Sequence, residues 1–311
     1  MNHARFTPAG SFAILLAALG AVSVSAQATP ALDSARLMTE LSVLAHDSMA
    51  GRATGTPGAQ RAQAFLSGTL EDAGIAPAGA ELARPFTWPG GTGVNLVAEL
   101  PGRSGAGGQV IVLSAHYDHL GIRAGRVFNG ADDNASGVAA LLEIGRALIA
   151  EPLEHTVLLA FFDAEEQGLR GARAFVADPP VPLDRIALNV NLDMVARTDG
   201  LLWAGGAYHT PALEPILEEV ATGAPVKLRL GHDRPGAPEG DDWTSSSDHG
   251  PFHRAGIPFV YFGVEDHVDY HRPSDDFTRV DPGEFVAAVR TIMSAIRALD
   301  AALPLVEDSG R

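Results

Sequence analysis

Between residues 94 and 302, short apolar runs alternate with longer segments whose apolar positions recur every three to four residues. Runs at 94–99, 109–115, 155–163, 186–193, 201–204 and 257–262 are strand-length and dominated by Val, Ile, Leu, Ala and Phe. Segments 135–150, 167–177, 211–222 and 282–302 carry helical spacing. Upstream, Leu32, Leu37, Leu41 and Leu44 share a helical face with Asp33 or Ser34 placed to cap it, and 59–73 returns to a helical pattern. Apolar strands alternating with helices of this length predict a three-layer α/β/α domain, its mixed, mostly parallel sheet flanked by helices on both faces. No repeat or linker interrupts residues 29–311, which therefore read as one domain. The Gly-, Pro-, Asp- and Ser-rich segment 231–247 reads as a long functional loop.

Ligands of such sheets bind beyond the carboxyl ends of the strands. Polar residues sit at those ends: His116 and Asp118 after 109–115, Glu165 and Glu166 after 155–163, and Asp193 closing 186–193. A Gly-rich turn, Gly130-Ala-Asp132-Asp133-Asn-Ala-Ser-Gly137, feeds the next helix, and a late loop carries His267 and His271. One Asp or Asn suffices to cap a helix, so three in a row exceed that need. Ionised carboxylates at the mouth of an apolar strand are costly unless a positive charge meets them. A metal site answers that need, and a two-metal site answers it best.

Within that site, His116 and Asp118 point to the same side if the chain stays extended, and Asp118 is placed to orient the imidazole from behind. His119 could compete as ligand, but it faces the opposite way if the strand continues. Glu165 and Glu166 point oppositely on an extended segment, which suits one to bind metal and the other to take a proton from water. Spacing alone does not choose between His267 and His271. Three carboxylates and one hydroxide balance two divalent cations. Mixed His and carboxylate donors suit zinc, with cobalt or manganese as substitutes. Paired cations acidify a shared water and polarise a carbonyl, which implies hydrolysis of an amide or ester.

Composition narrows the setting. The 311 residues include 46% hydrophobic ones, ample for a core, and carry a formal net charge of -16. That charge argues against nucleic acid and anionic membrane surfaces as partners. Residues 1–28 read as an export signal: His3 and Arg5, an apolar stretch from Phe12 to Val22, then small residues around Ala26 and Ala28. The expectation is a periplasmic or secreted protein, free of the membrane after cleavage. The chain has no cysteine, so no disulfide supports it.

The motifs Ser-Ala-His116-Tyr-Asp118-His, Gly-Ala-Asp132-Asp133-Asn-Ala-Ser-Gly, Ala-Glu165-Glu166-Gln-Gly-Leu-Arg-Gly, Asn-Leu-Asp193-Met, Ser-Asp248-His249 and Tyr-His271-Arg-Pro-Ser-Asp-Asp together resemble the M28 family of zinc aminopeptidases. The segment Gly51-Arg-Ala-Thr-Gly-Thr-Pro-Gly is also similar to the family's amino-terminal part, so the likeness covers roughly 35–300. The resemblance implies two zinc ions: His116 and Asp193 on one, Glu166 and His271 on the other, and Asp133 bridging. It implies Glu165 as general base, Asp118 as the acid behind His116, His271 rather than His267, and a cis peptide after Asp133. One departure stands out. Where some bacterial relatives carry an oxyanion-assisting Tyr on a disulfide-bonded loop, this chain has Thr244. No protease-associated domain fits in the chain, so substrate access would rest chiefly on 231–247.

The implied activity is removal of the amino-terminal residue from peptides with a free amino terminus. Rival readings are glutaminyl cyclisation on a single zinc, an amidohydrolase or carboxypeptidase acting on small acylated amino acids, and a binding ectodomain without catalysis. The complete ligand set favours the aminopeptidase.

Overall fold

The computed structural model describes Met1 and residues 32–305, except 106, 237, 239 and 240. Residues 2–28 of the expected export signal lie outside the described residues.

In chain order the elements are α1 (Ser34–Leu44), α2 (Pro57–Asp72), β1 (Ala76–Pro77), β2 (Ala83–Trp88), β3 (Gly91–Leu100), β4 (Val110–His116), β5 (Gly121–Arg123), β6 (Arg126–Phe128), α3 (Gly137–Ala150), β7 (Thr156–Phe162), α4 (Arg170–Ala177), β8 (Ile186–Leu192), β9 (Leu201–Gly205), α5 (Leu213–Gly223), β10 (Lys227–Leu230), α6 (His249–Arg254), β11 (Phe259–Gly263) and α7 (Pro282–Ala301). Local chemistry sets the helix starts. Asp33 accepts the Arg36 amide to cap α1, Thr56 caps α2 ahead of Pro57, and Asp281 accepts the amides of Gly283 and Glu284 ahead of Pro282 in α7.

Nine strands form one sheet in the order β1-β3-β7-β4-β8-β11-β9-β10, with β2 also on β3. The central strands β7, β4, β8 and β11 run parallel. Strand β3 pairs antiparallel to β7, and β9 antiparallel to β11, so the sheet is mixed. Every residue of β4, β7 and β11 is buried, which explains their unbroken apolar runs.

Strand alternation sorts side chains into two cores. Ile111, Leu113 and Ala115 of β4 join the larger cluster with α1, α2, α3, α5 and α7. Val110 and Val112 face the smaller one, with Phe175 of α4 and Phe252 of α6. These are the three layers expected. The parallel strands bring the polar ends of β4, β7 and β8 to one edge of the sheet.

Candidate metal centre

Strand β4 ends on His116, and Asp193 follows β8 directly, its amide donating to Phe262 O of β11. His116 Nε2 lies 3.3 Å from Asp193 Oδ1 and 3.5 Å from Asp133 Oδ1. The other oxygen of Asp133, Oδ2, lies 3.1 Å from His271 Nε2, which is 3.4 Å from Glu166 Oε2. The five sequence-predicted ligands therefore converge, and Asp133 turns one oxygen to each half of the group. Donors around a tetrahedral zinc, at bonds of about 2.0–2.1 Å, stand about 3.3 Å from one another. The observed separations match that spacing, and the mixed nitrogen and oxygen donors suit zinc.

Asp133 sits in an irregular turn, Ala131–Ser136, that leads into α3; Asp133 and Asn134 have non-helical backbone angles, and the peptide bond between them is cis, as the resemblance implied. The Asp275 carboxylate accepts the amides of both Asp132 and Asp133. Asn134 donates to Leu192 O and accepts from Gly137 N and Met194 N, tying this turn to the end of β8. Gly137 must be glycine here, because a Cβ would lie 2.4 Å from Asn134 Oδ1 and 2.5 Å from Leu192 O. Asp132 points elsewhere: it accepts from Ala196 N and faces His267 Nε2 at 3.2 Å. That pairing removes His267 from the cluster and leaves His271 in it.

Behind Asp193 runs a buried chain of hydrogen bonds. Asn189 donates to the Ser114 hydroxyl, Ser114 to Asn191, Asn191 to Ser247, and Ser247 to Asp193 Oδ2 at 2.6 Å. Such chains fix the orientation of the group at their end. The polar positions in the otherwise apolar strands 110–116 and 186–192 were the sequence signal for it.

Asp118 stands behind His116 as expected, though its backbone carbonyl is nearer the ring (3.1 Å from Nδ1) than its carboxylate (3.7 Å). The carboxylate instead accepts the Glu165 amide at 3.0 Å. Strand β7 stops at Phe162, so Glu165 and Glu166 lie on a turn rather than on an extended segment. The turn still separates their environments. Burial, reinforced by Asp248 and Asp193, raises the Glu165 carboxyl well above its ordinary range. Burial opposes ionisation of Glu166 too, but His119 and His271 beside it hold it well below the usual range. Asp133 and Glu166 push His271 up to about 10. Adjacent acids driven apart in this way are suited to different tasks. Asp248 is fully buried with both oxygens free of hydrogen bonds among the described residues, and burial pushes it up to about 8.

One buried residue, Arg52, was not read from the sequence as part of this site, and another, His119, was expected to face away from it. Arg52, fully buried, donates to the carbonyls of Leu44, Tyr117, Asn129 and Gly130 and so ties the loop after β4 to the loop before Asp133. His119 enters the Glu166 half of the cluster. Around the cluster opens a cavity of about 400 Å³, lined among others by His116, Glu165, Met194, Ser245, Ser246 and Tyr270. Thr244 contributes nothing to its wall: its hydroxyl donates to Asp242.

The sequence pattern of Peptidase family M28 matches residues 95–296. The chain belongs to peptidase family M28. Leupeptin-inactivating enzyme 1 of Streptomyces exfoliatus is 31% identical over 268 residues, covering 81% of this chain and 55% of that protein. Aminopeptidase YwaD of Bacillus subtilis is 30% identical over 199 residues, covering 60% and 40%. The chain thus spans about half the length of these relatives. Among solved structures, BSAP, a zinc aminopeptidase from Bacillus subtilis, superposes with a TM-score of 0.69 at 16% identity, covering 86% of this chain and 95% of that one. Porphyromonas gingivalis glutaminyl cyclase superposes with a TM-score of 0.70 at 23% identity, covering 88% and 99%. At such identities these two structures speak for the α/β fold that the M28 chain shares with them.

Proposed function

We propose that this M28 peptidase is a two-zinc aminopeptidase. The carboxylate of Asp133, reaching toward His116 with one oxygen and His271 with the other, is the observation that carries the reading. His116 and Asp193 would hold one ion, Glu166 and His271 the other, and Asp133 both. Zinc bound there supplies a Lewis acid for the scissile carbonyl and lowers the pKa of water.

The chain's own residues supply the rest. Glu165 faces the cavity, and its carboxylate accepts no hydrogen bond among the described residues, so it is free to take a proton from the attacking water and return it to the leaving amine. Asp118 fixes the backbone of Glu165 and stands behind His116. The acidic lining attracts a substrate's free α-ammonium group. With Thr244 engaged by Asp242, the hydroxyl-bearing residues on the cavity wall are Ser245, Ser246 and Tyr270.

A panel of aminoacyl p-nitroanilides, with glutaminyl substrates assayed in parallel for cyclisation, tests the reading. Release of nitroaniline that a chelator abolishes and zinc restores is the expected result. Cyclisation without aminopeptidase turnover would overturn it.

A further inference from the structure

His119 lies outside the ligand set that the family resemblance supplies. Were β4 to continue, its ring would face away from the cluster. The strand instead stops at His116, and the turn that follows brings His119 back. The residue is 2% exposed, and its Nδ1 lies 2.7 Å from Glu166 Oε1 and 3.7 Å from Asp133 Oδ2. Yet neither ring nitrogen, nor Glu166 Oε1, makes a hydrogen bond: the approach is close but off the N–H axis. Leaving a buried polar group unsatisfied costs about 1–3 kcal/mol. The ring is also held in place. Gly130, at φ +54°, packs so closely that a Cβ there would lie 2.5 Å from His119 Cδ2, and the His271 ring stands edge-on at 5.8 Å.

An imidazole that is buried and fixed, touching one carboxylate and near a second, both already assigned to a cation, has the arrangement of a ligand. We propose that His119 is a fourth protein ligand of the zinc position formed by Asp133, Glu166 and His271. The inference rests on the two-zinc reading above and makes the two positions unequal. The His116 position has one imidazole and two carboxylates, leaving a place open, as catalytic zinc requires. The His119 position has two imidazoles and two carboxylates, four protein donors against three at the other. It fills first when zinc is limiting.

The test is X-ray absorption of the zinc-loaded wild type, together with zinc titration of metal-stripped wild type, His119→Ala and His119→Asn against a competing chelator. Circular dichroism of the stripped proteins confirms that each is folded. The Asn amide can donate to Glu166 as an imidazole N–H would, so it rescues a merely supporting role. As a ligand, His119 gives the wild type three imidazoles over two zinc ions, and both variants lose the tighter ion by more than the ~10–100-fold that removal of a supporting residue produces. Two imidazoles over two ions, or near-wild-type affinity in His119→Asn, would overturn the inference while leaving the two-zinc reading intact. A wild type that binds fewer than two ions would overturn both. The absorption measurement on wild type decides the matter even if neither variant folds.

Discussion

Glu165 and Glu166 are neighbours in sequence with opposite electrostatic fates. Both are placed by the turn after β7, but two imidazoles outweigh burial at Glu166, whereas at Glu165 burial and the neighbouring Asp248 and Asp193 outweigh the one imidazole of His116. A base must be ionised to work, and burial raises the Glu165 pKa, so kcat/KM falls as pH drops through that raised value. Glu165→Gln should bind zinc as wild type does, lose about 10²–10⁴-fold in kcat and lose this acidic limb. Wild-type turnover in that variant, measured with saturating nitroanilide, would remove Glu165 from the role of base. Acids and imidazoles at strand ends marked the region of the site, but the choice of His116, Asp133, Glu166, Asp193 and His271 came from the family resemblance, since spacing left His267 and His271 open. Arg52 was not legible, and His119, a possible competing ligand, was expected to face away. Their roles depend on where the backbone turns back, and the sequence does not display that turn. Positive φ at Ala164, Leu169, Met194 and His271 shows how much irregular backbone surrounds the site.

Strands that are wholly or mostly buried were the readable ones: β3, β4, β7, β8, β9 and β11 lie within three residues of the expected runs at every end. The missed strands β1, β2, β5, β6 and β10 are short or half-exposed, and two carry proline, so they lack an unbroken apolar signature. Helix α4 begins at Arg170 rather than at 167 because Leu169 is left-handed and ends the preceding turn. On the face opposite the larger core, α4 and α6 hold to the sheet through Phe162, Phe175 and Phe252, whose rings lie 5.5–6.2 Å apart. Phe175→Ala should cost about 3–5 kcal/mol, read from guanidinium unfolding of the metal-free protein at unchanged slope. Phe175→Leu, closer in volume, should cost less than about half of that. Equal losses in the two variants would mean that packing at α4 contributes little.

At the scale of the molecule, the parallel centre of the sheet converts separated motifs into one site. His116, Glu166 and Asp193 arrive on successive strand ends, Asp133 on the turn into α3, and His271 on the loop after β11. The positions of the motifs at strand ends implied that they would meet, and the resemblance implied that Asp133 bridges; the folded chain supplies the distances from its two oxygens to His116 and His271. Among the described residues no helix is long and apolar enough to cross a membrane. Anomalous scattering at the zinc edge from crystals grown with zinc would locate two cations straddling Asp133. The expected result is two peaks about 3.5–4 Å apart, one against His116 and Asp193, the other against Glu166 and His271, with Asp133 touching both. A single peak, or two peaks that leave Asp133 untouched, would contradict it.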